Sequence, residues 1–574
     1  MKQLHFIDFE VFHSDWMCHI IQMPSLQEIT IVNDRQKLIE YHEKHKDEIF
    51  VGYNIRQYDQ FIFKGIIMGF DPKEINDKII LQDMKGFEIS DLFSKIKLNF
   101  FDTMTSQNMG SLKRLEAFMG DNIHESTVPF DIQRKLTEEE IKETTDYCRH
   151  DVAETINVFI ENYEEFESAM LLIKMFEMPL SSICKTKAQM SASILGAVKQ
   201  ERNDEWDIYT VEPLRLNKPE YQKVREWYLT KENQDYSKSL TTMVAGIETQ
   251  FGYGGIHSAR PKYKYVKTKN GKKICYHLDV ASYYPALMIL YMLLSRNVKN
   301  PEKFKEIRDL RLKLKKAGDK RQGCLKIVIN GTFGITKDQY NNCYDPRQAN
   351  LICINGQLLL LDLIEKMESI KSFELVQSNT DGLIVVVDEQ DNEKLMEICS
   401  EWETRTGFEL EKDKIEKLFQ KDVNNYIAVF ENGKTDRKGA WAKKNKPLDN
   451  DCPILNECLY NYFVYDKKVE DTINEHDELI AYQKIVRISS KYKYGWHNNK
   501  RIENEKTFRV FASKSDTDGY IGKQKHEEAT IEKFGNTPEH CFIDNGNIKG
   551  KKCPAKLDKQ YYINVAKERI EQFC

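Results

Sequence analysis

The stretch Phe373-Glu374-Leu375-Val376-Gln377-Ser378-Asn379-Thr380-Asp381-Gly382-Leu383-Ile384-Val385-Val386-Val387 sets two apolar, β-branched runs on either side of a short polar break. That pattern predicts a hairpin whose tip presents a carboxylate, Asp381, to solvent. Asn-Thr-Asp-Gly is by itself an ordinary turn sequence. Its meaning depends on the acidic and basic residues elsewhere in the chain.

Size and composition bound those meanings. With 574 residues, 41% hydrophobic and 30% charged, the chain exceeds one hydrophobic core, and about three to five domains or subdomains are expected. Mean hydropathy is -0.60, and no apolar run approaches the roughly 20 residues that span a bilayer. The first residues, Met1-Lys2-Gln3-Leu4-His5-Phe6, lack the apolar core of a signal peptide, so a cytoplasmic protein with no membrane partner is expected. The 13 cysteines form no Cys-x-x-Cys pair and are read as reduced, small apolar residues. Lys+Arg 85 against Asp+Glu 90 gives a net charge of -5, which excludes a uniformly basic nucleic-acid coat but not local basic tracks.

Near the start, Leu4-His5-Phe6-Ile7-Asp8-Phe9-Glu10-Val11-Phe12 alternates like a strand, so Asp8 and Glu10 share a face. Two like charges so close are costly unless a cation sits between them. Ile49-Phe50-Val51-Gly52-Tyr53-Asn54 is a second strand that runs on to Asp59 near a helix start. Residues 136–159 read as a helix capped by Thr137, with Tyr147 and Asp151 four apart on one face. In this order the Asp-x-Glu strand, the Asn-x-x-x-Tyr-Asp segment and the Tyr-x-x-x-Asp helix resemble the three exonuclease motifs of DEDDy proofreading nucleases. The resemblance implies a ribonuclease-H-like fold in which Asp8, Glu10, Asp59 and Asp151 bind two Mg²⁺ or Mn²⁺ ions. It also implies that Tyr147 orients the attacking water and that Asn54 contacts a single-stranded DNA 3′ end.

Residues 186–195 are expected to be helical. Further on, Phe251-Gly252-Tyr253-Gly254-Gly255-Ile256-His257 mixes aromatics with glycines that allow close backbone approach to a ligand. The acid-free run 260–273 is expected to be a basic hairpin turning at Asn270-Gly271, suited to phosphate contact or to protecting a sheet edge. Tyr253, Gly254 and Gly255 are similar to the Tyr-x-Gly-Gly linker of some phage polymerases, with the tyrosine displaced by one residue, and are candidate DNA contacts.

His277-Leu278-Asp279-Val280-Ala281-Ser282-Tyr283-Tyr284-Pro285-Ala286 resembles motif A of the family B DNA polymerases, and Lys326-Ile327-Val328-Ile329-Asn330-Gly331-Thr332-Phe333-Gly334 resembles motif B. The break at 377–382 then stands where motif C, Tyr-x-Asp-Thr-Asp-Ser, belongs. Gln377, Asn379 and Gly382 depart from it, and Asn379 removes one of its carboxylates. The resemblance implies that Asp279 and Asp381 hold two metal ions, Mg²⁺ or Mn²⁺, and that Ser282, Arg311, Lys326 and Asn330 bind a dNTP. Tyr284 is the implied gate against a 2′-hydroxyl. Arg308 competes with Arg311, and Asp518 in Ser515-Asp516-Thr517-Asp518-Gly519 competes with Asp381. The intervals between the motifs leave no room for a large priming insertion, so a nucleic-acid primer is expected.

Residues 412–419 are expected to be helical and 421–429 a strand. Tyr426 and Lys438 resemble residues that grip the primer end, and Lys491-Tyr492-Lys493-Tyr494-Gly495-Trp496 suits a phosphate-binding thumb. The expected architecture is α/β (mixed α+β) and multidomain. Its parts are an exonuclease domain at 1–185, palm at 186–295 and 346–440, fingers at 296–345 and thumb at 441–574. The implied function is templated DNA synthesis with 3′→5′ proofreading on primer-template DNA, in a phage-type enzyme working in a host cytoplasm with unknown replisome partners. The alternative is a DNA 3′→5′ exonuclease or DNA-binding replication subunit whose polymerase half is inactive. A reverse transcriptase fits less well.

Overall fold

Strand β1 (Leu4–Val11) carries Asp8 and Glu10 and lies mid-sheet, which explains its otherwise apolar sequence. Its neighbours β2 (Trp16–Met23), β3 (Gln27–Val32), β4 (Ile49–Gly52) and β5 (Phe100–Asp102) form a five-stranded sheet in the order β3-β2-β1-β4-β5. β2 is antiparallel to β1 and to β3, β4 is parallel to β1, and β5 is parallel to β4. This is the ribonuclease-H-like arrangement expected from the sequence. Helices α1 (Asp59–Met68), α2 (Leu112–Met119) and α3 (Glu138–Glu161) complete its working parts, and α3 packs on β1 and β2. Thr137 and Glu140 close a reciprocal capping box at the start of α3, as their spacing predicts.

The computed structural model describes residues 3–105, 110–269 and 271–573. It divides into two units, the first made of Met1–Lys185, Asn445–Leu455 and Ile473–Asn564, the second of Thr186–Lys444, Asn456–Thr472 and Val565–Cys574. The segment 441–574, expected as one thumb, is therefore shared between them. Arg509, fully buried, helps tie the later strands to the first unit. Its Nε donates to Gln483 Oε1 at 3.0 Å, Nη1 to the carbonyls of Asp544 and Gly546 at 3.1 and 2.7 Å, and Nη2 to those of Ala117 and Asp121 at 3.0 and 2.8 Å. These bonds use every guanidinium donor. Burial still pulls its pKa down to about 10. Arg509→Met strands those acceptors in a dry interior, and a loss of about 3–5 kcal/mol is expected in denaturant melts of the first unit. A loss under about 1 kcal/mol would show that solvent reaches the acceptors.

In the second unit the elements are β6 (Ser258–Ala259), β7 (Tyr263–Val266), β8 (Lys273–Val280), β9 (Glu374–Ser378), β10 (Gly382–Asp388), β11 (Leu410–Asp422), β12 (Asn425–Phe430) and β13 (Thr435–Lys438). They form an eight-stranded sheet, β13-β12-β11-β8-β10-β9-β6, with β7 also paired to β11. The expected helix at 412–419 is part of β11. Its Glu/Lys-rich sequence favours a helix locally, and pairing with β7, β8 and β12 overrides that preference. The basic run 260–273 is not a hairpin, because β7 and β8 pair in succession along the 13-residue β11 rather than with each other. Asn270, at its expected turn, lies outside the described residues.

The helices α4 (Tyr283–Leu290), α5 (Pro301–Lys316), α6 (Gln322–Lys337) and α7 (Pro346–Met367) pack on one another, with α6 at the centre against each of the other three. α7 is buried along nearly its whole length. Its polar side chains are partnered: Asn355 Oδ1 accepts from the Val211 N–H at 2.8 Å, and Asp362 takes Arg405 Nη1 at 2.9 Å.

Candidate functional site

Two groups of carboxylates stand out, one in each unit. In the first, Asp8 and Glu10 project from one face of β1 and Asp59 opens α1. Asp102 at the end of β5 fixes the approach to α1: its carboxylate accepts the backbone N–H groups of Asn54 at 2.9 Å and Arg56 at 3.0 Å. Asn54 sits there in the left-handed region, φ 63. From α3, Asp151 and Tyr147 face the same acids, and burial followed by Asp151, Glu10 and Asp8 raises the cost of ionising Tyr147.

Burial, with Asp59, Glu10 and Asp151 nearby, drives the Asp8 pKa far up, and burial with Asp151 does the same to Glu10. Burial lifts Asp59 to about 8 and Asp151 to about 6. Asp59 Oδ1 is buried and has no hydrogen-bond partner among the described residues. These carboxylates, one with an orphaned oxygen, are hard donors of the type a divalent cation prefers; the ligand atoms that converge within 4.8 Å are those of Asp8, Glu10 and the Cys148 thiol, while Asp151 converges with Glu116 and His150. Lys113 of α2 was not foreseen. It is buried, ion-paired with Asp151, bonded to Glu116 Oε1 at 2.9 Å and 4.7 Å above the Tyr147 ring. In sequence it is one of two adjacent basic residues on a short helix, with no motif to mark it.

In the second unit, β8 carries Asp279 to its end, directly opposite Gly382 on β10 and Glu411 on β11. The Val280 N–H donates to the Asp381 carbonyl at 2.8 Å, which closes the tip of the 377–382 turn against β8. Asp381 is exposed at that tip, as its sequence predicts. Burial followed by Asp381, Glu411 and Asp413 lifts the Asp279 pKa to about 7, opposed by Lys438. This cluster is built of hard carboxylate oxygens, the donor type a divalent cation prefers, but among the described residues no three of them bring their oxygens within 4.8 Å of one another. Glu411 and Asp413 were missed because their segment was read as a helix.

The departures at 377–382 have structural reasons. Asn379 Oδ1 accepts from the Thr380 N–H at 2.8 Å, and its own N–H bonds the Gly382 carbonyl at 2.9 Å, so it shapes the turn. At Gly382 a Cβ would stand 2.7 Å from the Leu278 carbonyl and 3.0 Å from Asp279 Oδ1. At Gly255 a Cβ would stand 2.3 Å from Thr380 Oγ1, so the Gly-Gly segment leans on the turn. Gly382→Ser, although it restores the common motif residue, is expected to displace Asp279 and cut the activity of this centre about tenfold or more. Asn379→Asp, which keeps the turn's acceptor, should leave that activity within about threefold. Equal activity of Gly382→Ser and wild type in the same assay would refute the tight-approach account.

Other candidates fall around this centre. Ser282 takes the left-handed conformation, φ 52, and Arg311 Nη1 lies 3.4 Å from its Oγ. Arg311 is 7% exposed and its Nε has no partner among the described residues, whereas Arg308 pairs with Asp309 at 2.8 Å; the geometry favours Arg311. Tyr284 packs its ring against Phe333 of α6 in a tilted pair, with ring centroids 4.4 Å apart. Lys326 and Asn330 stand exposed on α6, on the stripe that leads to Phe333 and Gly334. Tyr426 and Lys438 are cross-strand partners, and both engage Asp436, at 2.9 and 3.6 Å. Tyr253, an expected DNA contact, turns its ring inward among Trp206, Trp227, Tyr228 and Tyr236 and donates its hydroxyl to the Asn233 carbonyl at 2.8 Å. A Cβ at its neighbour Gly254 would meet open space. Asp518 lies in a turn of the first unit, bonded to Ser513 Oγ at 2.6 Å, while Asp381 shares a sheet with Asp279.

No family model matches the chain. Curated relatives do. One is DNA polymerase 1 of Sulfurisphaera ohwakuensis, 29% identical over 198 residues, which take in 34% of this chain and 21% of the relative. Another is DNA polymerase 1 of Sulfolobus acidocaldarius, 25% identical over 197 residues, with the same coverage of 34% and 21%. The matched region thus amounts to about a fifth of each relative's length. A solved family B DNA polymerase from the archaeon Pyrobaculum calidifontis aligns over 100% of this chain and 78% of its own, with 14% identity and a TM-score of 0.43. These relatives are archaeal, whereas the sequence motifs pointed to phage enzymes. Among the described residues, no helix is long and apolar enough to cross a membrane.

Proposed function

We propose, on the premise that this chain belongs with the family B DNA polymerases, that it is a DNA-templated DNA polymerase with a 3′→5′ proofreading exonuclease. The observation that carries the reading is the apposition of Asp279 and the Asp381 turn across β8 and β10, in the motif order A, B, C. In this reading Asp279 and Asp381 hold two divalent cations, Mg²⁺ or Mn²⁺, which when bound lower the charge barrier to attack of a primer 3′-hydroxyl on a dNTP. The chain's own residues bind and orient. Arg311, with its unpartnered Nε beside Ser282, and Lys326 and Asn330 on the open face of α6 receive the triphosphate. Tyr284, braced on Phe333, excludes a 2′-hydroxyl. Tyr426 and Lys438, ordered by Asp436, hold the primer end, with Gly254 and Gly255 near the template.

In the first unit Asp8, Glu10, Asp59 and Asp151 hold the cations of the nuclease, Tyr147 orients water, and Asn54 contacts the frayed 3′ end. Lys113 steadies Asp151. The C-terminal strands with Lys491, Lys493 and Trp496 serve as a duplex-gripping surface. The compact layout of the motifs supports a replicative enzyme of the phage type that uses a nucleic-acid primer in a host cytoplasm.

The test is primer extension on a primed template with Mg²⁺ and four dNTPs, wild type beside Asp381→Ala. Extension by wild type and a loss of about 10³-fold in the variant are expected. A wild type that degrades 3′ ends but extends nothing would favour the alternative of a nuclease with an inert second half.

A further inference from the structure

Behind the face of β1 that carries Asp8 and Glu10 lies a second cluster of ligating side chains. His5 stands three residues before Asp8 on the same strand, so its side chain leaves by the opposite face. It is fully buried, and its ring stacks on that of its β4 neighbour Phe50, with centroids 5.1 Å apart. His45, also buried, ends the helix Arg35–His45, and Glu48 immediately precedes β4. Glu48 Oε2 lies 2.6 Å from His5 Nε2 and 2.7 Å from His45 Nδ1, and the two imidazole rings are 4.6 Å apart between centroids.

The far side of the His5 ring is fixed as well. Its Nδ1 meets the Tyr41 hydroxyl at 2.6 Å, that oxygen accepts from Gln22 Nε2 at 3.0 Å, and Gln22 Oε1 accepts from Gln3 Nε2 at 2.8 Å. A metal-bound histidine has its second nitrogen hydrogen-bonded in this way, which sets the tautomer and aim of the ring. Burial holds the His5 pKa below its ordinary value, which favours the neutral ring that a metal takes. His45 sits at the C-terminal end of its helix, where the aligned peptide dipoles favour a cation. The adjacent Lys46 pairs with Glu43 at 2.7 Å.

We infer that His5, His45 and Glu48 form a structural site for one zinc ion, separate from both carboxylate centres and independent of how those are read. The three ligand atoms lie within 4.8 Å of one another. A tetrahedral shell with bonds of about 2.0–2.2 Å sets its ligand atoms roughly 3.3 Å apart, so the ion enters once the two hydrogen bonds to Glu48 open by about 0.7 Å. Two nitrogens and one oxygen suit a borderline ion such as Zn²⁺, whereas Mg²⁺ takes oxygen ligands. The Glu48 side chain is 32% exposed, which gives the ion an entry path and leaves room for water as the fourth ligand. Bound there, zinc staples the start of β1, the helix end and β4 together.

The test uses the full chain, stripped with EDTA and dialysed into excess Mg²⁺ to fill the oxygen-lined centres, then titrated with Zn²⁺ against a chromophoric chelator. A single equivalent of Zn²⁺ that Mg²⁺ does not displace is expected, with a shell of nitrogen and oxygen and no sulfur by X-ray absorption, and with a higher melting temperature. Glu48→Gln and His45→Gln should weaken that binding by about a hundredfold or more. Tyr41→Phe leaves every ligand in place and should weaken it about tenfold, an effect that a role in packing alone does not produce. Metal-free melts report whether each variant folds, and Glu48→Gln, at the partly exposed position, decides the matter should His45→Gln not fold. Coincident titrations of wild type and Glu48→Gln would leave a hydrogen-bonded cluster only, and a shell containing sulfur would move the zinc to a cysteine. Either result overturns the site.

Discussion

Asp279→Asn should lower primer extension by about 10³-fold or more while leaving degradation of single-stranded 3′ ends unchanged in reactions without dNTPs. The substitution is nearly isosteric, and the strand that carries it is held on both sides by β10 and β11. The fold therefore survives, and the loss reads the chemistry of one oxygen. The charge of Asp279 is costly to keep, since burial and the nearby Asp381, Glu411 and Asp413 lift its pKa to about 7. A neighbouring cation reverses that cost, and an amide at the same place offers the cation a far weaker partner. Extension within about tenfold of wild type would mean that Glu411 and Asp413 carry the cation without Asp279. The companion measurement of degradation matters equally. A parallel fall would point to unfolding rather than to chemistry.

Parts of this architecture were legible because local and long-range preferences agree. The alternation of residues 4–11, the capping box at Thr137 and Glu140, and the apolar runs around 377–382 each specify an element that the rest of the fold also wants. The paired acids were legible for a simpler reason, since like charges on one strand face need a counter-charge. Where the reading failed, a distant partner decided. Residues 412–419 have helix-forming composition, and pairing with β7, β8 and β12 makes them a strand. Once that segment is a strand, Glu411 and Asp413 fall beside Asp279 and His277, a placement invisible in the sequence. Tyr253 looked like a ligand-facing aromatic because its neighbours are glycines, yet four aromatic side chains from three segments enclose it. Lys113 and Arg509 show the same limit. Each is one basic residue in a charged chain, and burial beside specific acceptors gives it a role.

In the first unit, Asp8→Asn should abolish 3′-end degradation, by about 10³-fold or more, and at the same time make the metal-free protein more stable at pH 8. The sign follows from linkage. Burial raises the folded-state pKa of Asp59 from 3.8 to about 8, and burial with neighbouring acids raises that of Asp8 further. The native state then holds protons that the unfolded chain releases, so stability present at about pH 4 is lost as pH rises toward 8. Removing the Asp8 charge relieves part of that repulsion, a gain of about 1–3 kcal/mol at pH 8 that shrinks toward pH 4. A divalent cation bound by the native carboxylates offsets the same repulsion. Added Mg²⁺ should therefore raise the melting temperature of wild type more at pH 8 than at pH 5, and Asp8→Asn should lose most of that rise. Thermal melts at the two pH values, with and without Mg²⁺, separate the outcomes. A metal-free variant less stable than wild type at pH 8, or one that keeps the full Mg²⁺ shift, would show that Asp8 is neutralised by Lys113 rather than waiting for a cation.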